Sequence, residues 1–123
     1  MKCILIVEDQ PDIRKLIRMT LEFEPYDVHE ASDGVSGLRV AGEVKPDLIL
    51  LDVMMPGELD GLQVCKRVKS APDMRHIRVI LLTARGQARD LDAGREAGAD
   101  EYLVKPFSPL QLIETIEKLL AEA

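Results

Sequence analysis

The sequence contains no tryptophan, two tyrosines and two phenylalanines, so aromatic residues make up 3% of its 123 positions. Rows of stacking rings, the usual means of holding single-stranded nucleic acid, are therefore missing. Basic charge is also scarce: 16 Lys and Arg stand against 22 Asp and Glu, a net charge of −6. Such a surface repels a phosphate backbone, and the single basic cluster, Lys66, Arg67 and Lys69 near Arg75 and Arg78, reads as a solvated helix face. No direct contact with nucleic acid is expected. Two cysteines, Cys3 and Cys65, do not make a disulfide framework and are expected as reduced packing residues. Two histidines, His29 and His76, share no zinc-type spacing with them and are expected at the surface. No apolar run approaches the ~20 residues of a membrane span. Met1-Lys2 leads directly into an apolar pattern, without the basic and apolar leader of an exported chain. A cytoplasmic protein without membrane association is the expectation.

What the sequence does hold is enough apolar material, 46%, for one packed domain over residues 1–123. Leu48-Ile49-Leu50-Leu51 has no polar alternation, as in a strand covered on both faces, and it delivers a lone carboxylate, Asp52, before Pro56-Gly57 breaks the chain. Similar logic gives a strand at Cys3–Val7, a helix from Pro11 to about Glu24 stopped by Pro25, and an edge strand at Tyr26–Ala31. A helix capped by Ser32 or Asp33 runs to about Val44, and another follows the loop that ends at Asp60-Gly61 and runs to about Ser70. A strand at Ile77–Leu82 ends on Thr83. A charged helix at roughly Gln87–Ala97 is closed by Gly98, a short strand covers Asp100–Val104, and a last helix spans about Pro109–Glu122. Strands and helices alternating five times predict an α/β, doubly wound, flavodoxin-like parallel sheet of order 2-1-3-4-5. Ligands of such sheets bind beyond the carboxyl ends of the strands, where strands 1 and 3 diverge.

At those ends the strands deliver Glu8 and Asp9, Asp52, Thr83 and Lys105, all on one side of the switch point. Two carboxylates ~4 Å apart repel by about 4 kcal/mol at an effective dielectric near 20. A hard divalent cation, Mg²⁺ or Mn²⁺, relieves that repulsion through oxygen ligands. A carboxylate beside a metal, with an ammonium and a hydroxyl near, suits phosphoryl transfer through an aspartyl phosphate. A buried Asp-Lys ion pair that only stabilises the fold is the plainer alternative.

Glu8-Asp9, Asp52 within LLDVMMPG, Thr83-Ala84 and Lys105-Pro106-Phe107 together resemble the receiver domain of two-component response regulators, over essentially the whole chain. The resemblance implies a cytoplasmic signalling switch that catalyses only its own phosphorylation and dephosphorylation. Asp52 would be the phosphoacceptor for a sensor histidine kinase or a histidine phosphotransfer protein. Glu8, Asp9, Asp52 and the Met54 backbone carbonyl would surround Mg²⁺, Thr83 and Lys105 would contact the phosphoryl group, and Lys105-Pro106 would be a cis peptide. Tyr102 matches the switch aromatic that follows Thr83, changing the face made by helix 4, strand 5 and helix 5 for a downstream effector protein or domain. Met54 and Arg85 occupy positions that tune phosphoryl lifetime. Gly57-Glu58-Leu59-Asp60-Gly61 looks one residue longer than the common form of its loop, which leaves its conformation open.

Ile13, with Phe107 and Pro109, is a candidate docking surface for the phosphodonor, core packing being its alternative. Arg89, Asp90, Asp92 and Arg95 on helix 4 have the charges for a phosphorylation-dependent homodimer. Two other functions fit the fold. A Mg²⁺-dependent phosphatase would need a second acid near Asp52, where Met54 stands, and a cap. A flavodoxin-like FMN binder would need a phosphate cradle where Glu8-Asp9-Gln10-Pro11 places negative charge.

Overall fold

The elements alternate as β1 (Lys2–Val7), α1 (Pro11–Leu21), β2 (Tyr26–Ala31), α2 (Gly34–Val44), β3 (Leu48–Asp52), α3 (Gly61–Ser70), β4 (Arg78–Ala84), α4 (Ala88–Ala97), β5 (Glu101–Lys105) and α5 (Pro109–Ala121). The computed structural model describes residues 1–84 and 88–121, for residues 88–91 the backbone alone. All strand pairs are parallel and the order is β2-β1-β3-β4-β5, as the alternation predicts.

Every residue of β3 is buried, which accounts for its uninterrupted apolar run. Successive side chains leave a strand on opposite faces, so the sheet feeds two cores. Leu5, Val7, Ile49, Leu51, Val79 and Leu81 pack with Ala41 of α2, Val64 and Val68 of α3 and Ala97 of α4. Ile4, Ile6, Leu48, Leu50, Ile80 and Leu82 pack with Ile17 and Leu21 of α1 and with Leu112, Ile116 and Leu119 of α5. Each such aliphatic side chain contributes about 1.5–3 kcal/mol by leaving water, so the strand ends are held on a stiff platform. Among the described residues no helix is long and apolar enough to cross a membrane.

Caps explain where the helices begin. Pro11 opens α1, where a missing N–H costs nothing. Asp33 rather than Ser32 caps α2, its Oδ1 accepting from the Ser36 N–H at 2.7 Å. Asp60 and Gln63 form a reciprocal capping box on α3.

Among the boundaries that differ from expectation, three have a clear local reason. Helix α1 stops at Leu21, short of Glu24, because the residue before a proline is pushed out of helical geometry. The chain tightens instead, with the Glu22 N–H on the Met19 carbonyl at 3.3 Å and the Glu24 N–H on the Leu21 carbonyl at 3.0 Å. Strand β4 starts at Arg78, since the Ile77 N–H is still donated to the Met74 carbonyl of the preceding turn at 2.9 Å. Strand β5 starts at Glu101, one residue late. Asp100 is engaged as an anchor whose carboxylate takes the Val79 N–H at 2.8 Å and pairs with Lys69 at 2.8 Å.

Candidate functional site

Beyond the carboxyl end of β1, the Glu8 N–H continues the ladder onto the Ala31 carbonyl at 3.1 Å. Arg14, one turn into α1, donates to the Glu8 carbonyl at 2.7 Å and is itself steadied by Glu30 at 3.3 Å. The Glu8 side chain is fully buried, and its Oε2 accepts the Gln10 N–H at 3.2 Å. Asp52 ends β3 with 4% exposure, and its Oδ1 accepts the Met54 N–H at 3.3 Å. The next residue, Val53, still donates to the Leu82 carbonyl at 3.0 Å, so the β3 and β4 ends are fixed to each other.

Glycine at position 61 is a steric requirement of this site. A Cβ there would run into the Asp52 carbonyl oxygen, so the start of α3 lies directly on the end of β3. Within the 57–61 loop, Gly57 takes a positive φ of 104° and Leu59 turns into the core.

Lys105, the last residue of β5, reaches across both carboxylates. Its Nζ lies 2.8 Å from Glu8 Oε1 and 3.2 Å from Asp52 Oδ1. The Lys105-Pro106 peptide bond is cis. Thr83, 2% exposed, lies one residue past Leu82, the register partner of Asp52, and one before Ala84, the partner of Lys105.

Carboxylate oxygens of Glu8, Asp9 and Asp52 lie within 4.8 Å of one another. Burial, followed by the neighbouring Glu8 and Asp9, pushes the Asp52 carboxyl up to about 7, against the opposing pull of Lys105. Burial also disfavours the Lys105 ammonium, but Glu8 and Asp52 outweigh it and hold the group above its ordinary value. One ammonium thus contacts two of the three clustered carboxyl groups. Glu8 Oε1 meets it as a charge contact without a well-aligned hydrogen bond, and the shielded Asp9 Oδ1 has no hydrogen-bond partner among the described residues. Carboxyl groups so close together, one of their oxygens without a partner among the described residues, fit a hard divalent cation of Mg²⁺ type.

The other expected residues spread around this centre. Met54 projects its side chain to solvent with 62% exposure while its backbone adjoins Asp52. Ile13 and Phe107 are half-buried against the α1/α5 core, and Pro109 is exposed at the start of α5. Tyr102 pairs with Leu81 in register, and its ring lies against α4 where Gly94 has no side chain. Its hydroxyl is shielded from solvent and raised, chiefly by burial with Arg95 opposing. Arg85 lies outside the described residues, as do the side chains of Arg89 and Asp90. Asp92 and Arg95 form an exposed pair within α4 at 4.0 Å. Sequence reasoning missed Arg14 and Gly61. A glycine directly after an N-cap aspartate was the only available sign of the second.

A family model described as the response regulator receiver domain matches residues 4–117. Among curated relatives, the DNA-binding dual master transcriptional regulator RpaA of Synechocystis is 42% identical over 117 residues, 95% of this chain and 48% of that protein. The transcriptional regulatory protein ResD of Bacillus subtilis is 42% identical over 120 residues, 98% and 48% of the two chains. The chain therefore spans about half the length of these curated relatives. Among solved structures, the receiver domain of a signal transduction histidine kinase from Syntrophus aciditrophicus has a TM-score of 0.92 at 36% identity, covering 100% of this chain and 92% of that one. The chemotaxis protein CheY4 of Vibrio cholerae has a TM-score of 0.89 at 31% identity, covering 97% and 98%.

Proposed function

The chain belongs to the response regulator receiver domain family, and from that premise we propose that Asp52 accepts a phosphoryl group from a phosphohistidine in a Mg²⁺-dependent reaction. Membership makes it a component of phosphorylation-dependent signalling. The observation that carries the finer reading is Lys105 held 2.8 Å from Glu8 and 3.2 Å from Asp52 inside a crowded acidic pocket.

In the proposed step an Asp52 carboxylate oxygen attacks phosphorus, the phosphorus–nitrogen bond of the donor breaks, and the imidazole leaves with the electron pair. Glu8, Asp9, Asp52 and the Met54 carbonyl would hold the cation, which when bound supplies charge neutralisation for the phosphoryl oxygens. Lys105 then follows the negative charge outward from Asp52 onto the phosphoryl group, and the Thr83 hydroxyl donates to another of its oxygens. Hydrogen bonds to a charged group are worth about 1.5–3 kcal/mol each. Two of them supply about 3–6 kcal/mol, of the order of the ~5.5 kcal/mol that takes a switch from 1:99 to 99:1.

Tyr102, on the neighbouring stretch of β5, would report Thr83's movement on the α4-β5-α5 face, which controls an effector protein or attached domain or supports a homodimer. Ile13, Phe107 and Pro109 form the proposed rim for the donor, a histidine kinase or phosphotransfer protein; a transfer rate unchanged in Ile13→Ser would reduce Ile13 to packing. Met54 and Arg85 are assigned to lifetime. The receiver turns over only its own phosphoryl group, works in the cytoplasm, and touches neither membrane nor nucleic acid directly.

Intact-mass measurement after incubation with acetyl phosphate tests this. One phosphoryl group per chain is expected with Mg²⁺, and none with a chelator or in Asp52→Asn; incorporation independent of Mg²⁺ contradicts the reading.

A further inference from the structure

At the other end of the sheet, a second cluster of ligand-type side chains lies far from the acidic pocket. Cys3 is the register partner of Asp27, and His29 stands two residues further along β2, opposite Leu5. Cys3 shares its face of β1 with Leu5 and Val7, and Asp27 and His29 share theirs with Ala31, so all three side chains lie on the α2 side. A sulfur, a carboxylate oxygen and an imidazole nitrogen from these residues lie within 4.8 Å of one another.

We propose that Cys3, Asp27 and His29 form a zinc-binding site joining edge strand β2 to β1, with water in the fourth position. The donor set is that of a borderline-soft ion: one thiolate, one imidazole and one carboxylate. His29 Nε2 and Asp27 Oδ2 are 3.2 Å apart. Two such ligands at Zn–N and Zn–O bond lengths, set at a tetrahedral angle, are separated by roughly 3.4 Å. The Cys3 sulfur, on a half-buried free thiol, lies within 4.8 Å of both. The Cys3 backbone is already fixed, its N–H donated to Asp47 Oδ2 at 2.7 Å and its carbonyl accepting the Asp47 N–H at 2.8 Å. Asp47 thereby adds a carboxylate near the site.

Binding forms a metal–sulfur bond, breaks the Cys3 S–H bond and releases that proton to solvent. The other thiol does not compete, because Cys65 is fully buried and donates to the Ala97 carbonyl at 3.6 Å.

Titration of the full chain with Co²⁺, in excess Mg²⁺, followed by displacement with Zn²⁺, tests the proposal. The thiolate-to-cobalt charge-transfer band should appear with one equivalent, vanish in Cys3→Ser and persist in Asp52→Asn. In His29→Ala the apparent affinity should fall by about 100-fold or more, since even second-shell changes cost 10- to 100-fold. Zn²⁺ should also slow alkylation of Cys3 in the wild type. Absence of the band, its survival in Cys3→Ser, its loss in Asp52→Asn, or an unchanged affinity in His29→Ala would each overturn the assignment. Mg²⁺-dependent phosphorylation of Cys3→Ser and His29→Ala should stay at the wild-type level, so this result and that of the Asp52 reading remain separable.

Discussion

Asp52 is a carboxylate whose neighbours oppose its charge. Buried and flanked by Glu8 and Asp9, its pKa is raised from 3.8 to about 7. A carboxyl that holds its proton more tightly when folded favours folding at low pH and loses that contribution as pH rises from its unfolded value through its folded one. Asp52→Asn should therefore be more stable than wild type in metal-free buffer, by on the order of 1–3 kcal/mol above pH 7. The gap should shrink as pH falls from 7 toward 4, a trend that urea melts at several pH values will show. A gap that is constant with pH would mean the charge is not strained. Residues of this kind were legible because chemistry placed them: a lone Asp after four apolar residues, a Lys before a Pro. Cys3 and His29 were expected as a reduced packing residue and a surface residue, and they stand as a free, half-buried thiol and a partly exposed imidazole. What chain spacing does not encode is that they come close to Asp27 and to each other across the β1-β2 pair.

At the scale of elements, the informative positions are glycines with opposite duties. Position 61 has no room for a side chain against the Asp52 carbonyl, whereas nothing lies within 4 Å of a Cβ at Gly42 in α2. Gly61→Ala should cost about 1–3 kcal/mol as α3 is pushed off β3, and Gly42→Ala should gain about 0.5–1 kcal/mol in helix entropy. Equal effects in denaturant titrations would refute the close approach. Gly94 has a third duty. A Cβ there would stand 2.9 Å from the Tyr102 ring, so Gly94→Ala should displace the ring and alter its NMR signals while leaving phosphorylation of Asp52 intact. Strands were the easiest elements to read, because burial on both faces removes polar residues altogether. Ends were harder. Pro25 acted three residues upstream of itself, and Asp100 left the strand for side-chain work that no local propensity announces. The 57–61 loop depended on tertiary contact of Leu59 and stayed unread.

For the whole molecule, topology does the assembling. Reversing the strand order between β1 and β3 opens one crevice, and parallel strands bring all their carboxyl ends to it. The acidic side chains are thereby brought together at the cost of mutual repulsion, which a divalent cation would relieve. Mg²⁺ at ten times its dissociation constant should stabilise the chain by about 1.4 kcal/mol, several degrees in Tm, and Asp52→Asn should lose most of that shift. The most direct measurement is the position of the phosphoryl group itself. Chain treated with acetyl phosphate and Mg²⁺ is reduced with borohydride, which converts an aspartyl phosphate to homoserine, and the peptides are sequenced. Homoserine at position 52 alone is the expected result; modification elsewhere, or unreduced Asp52 in a phosphorylated chain, would contradict it.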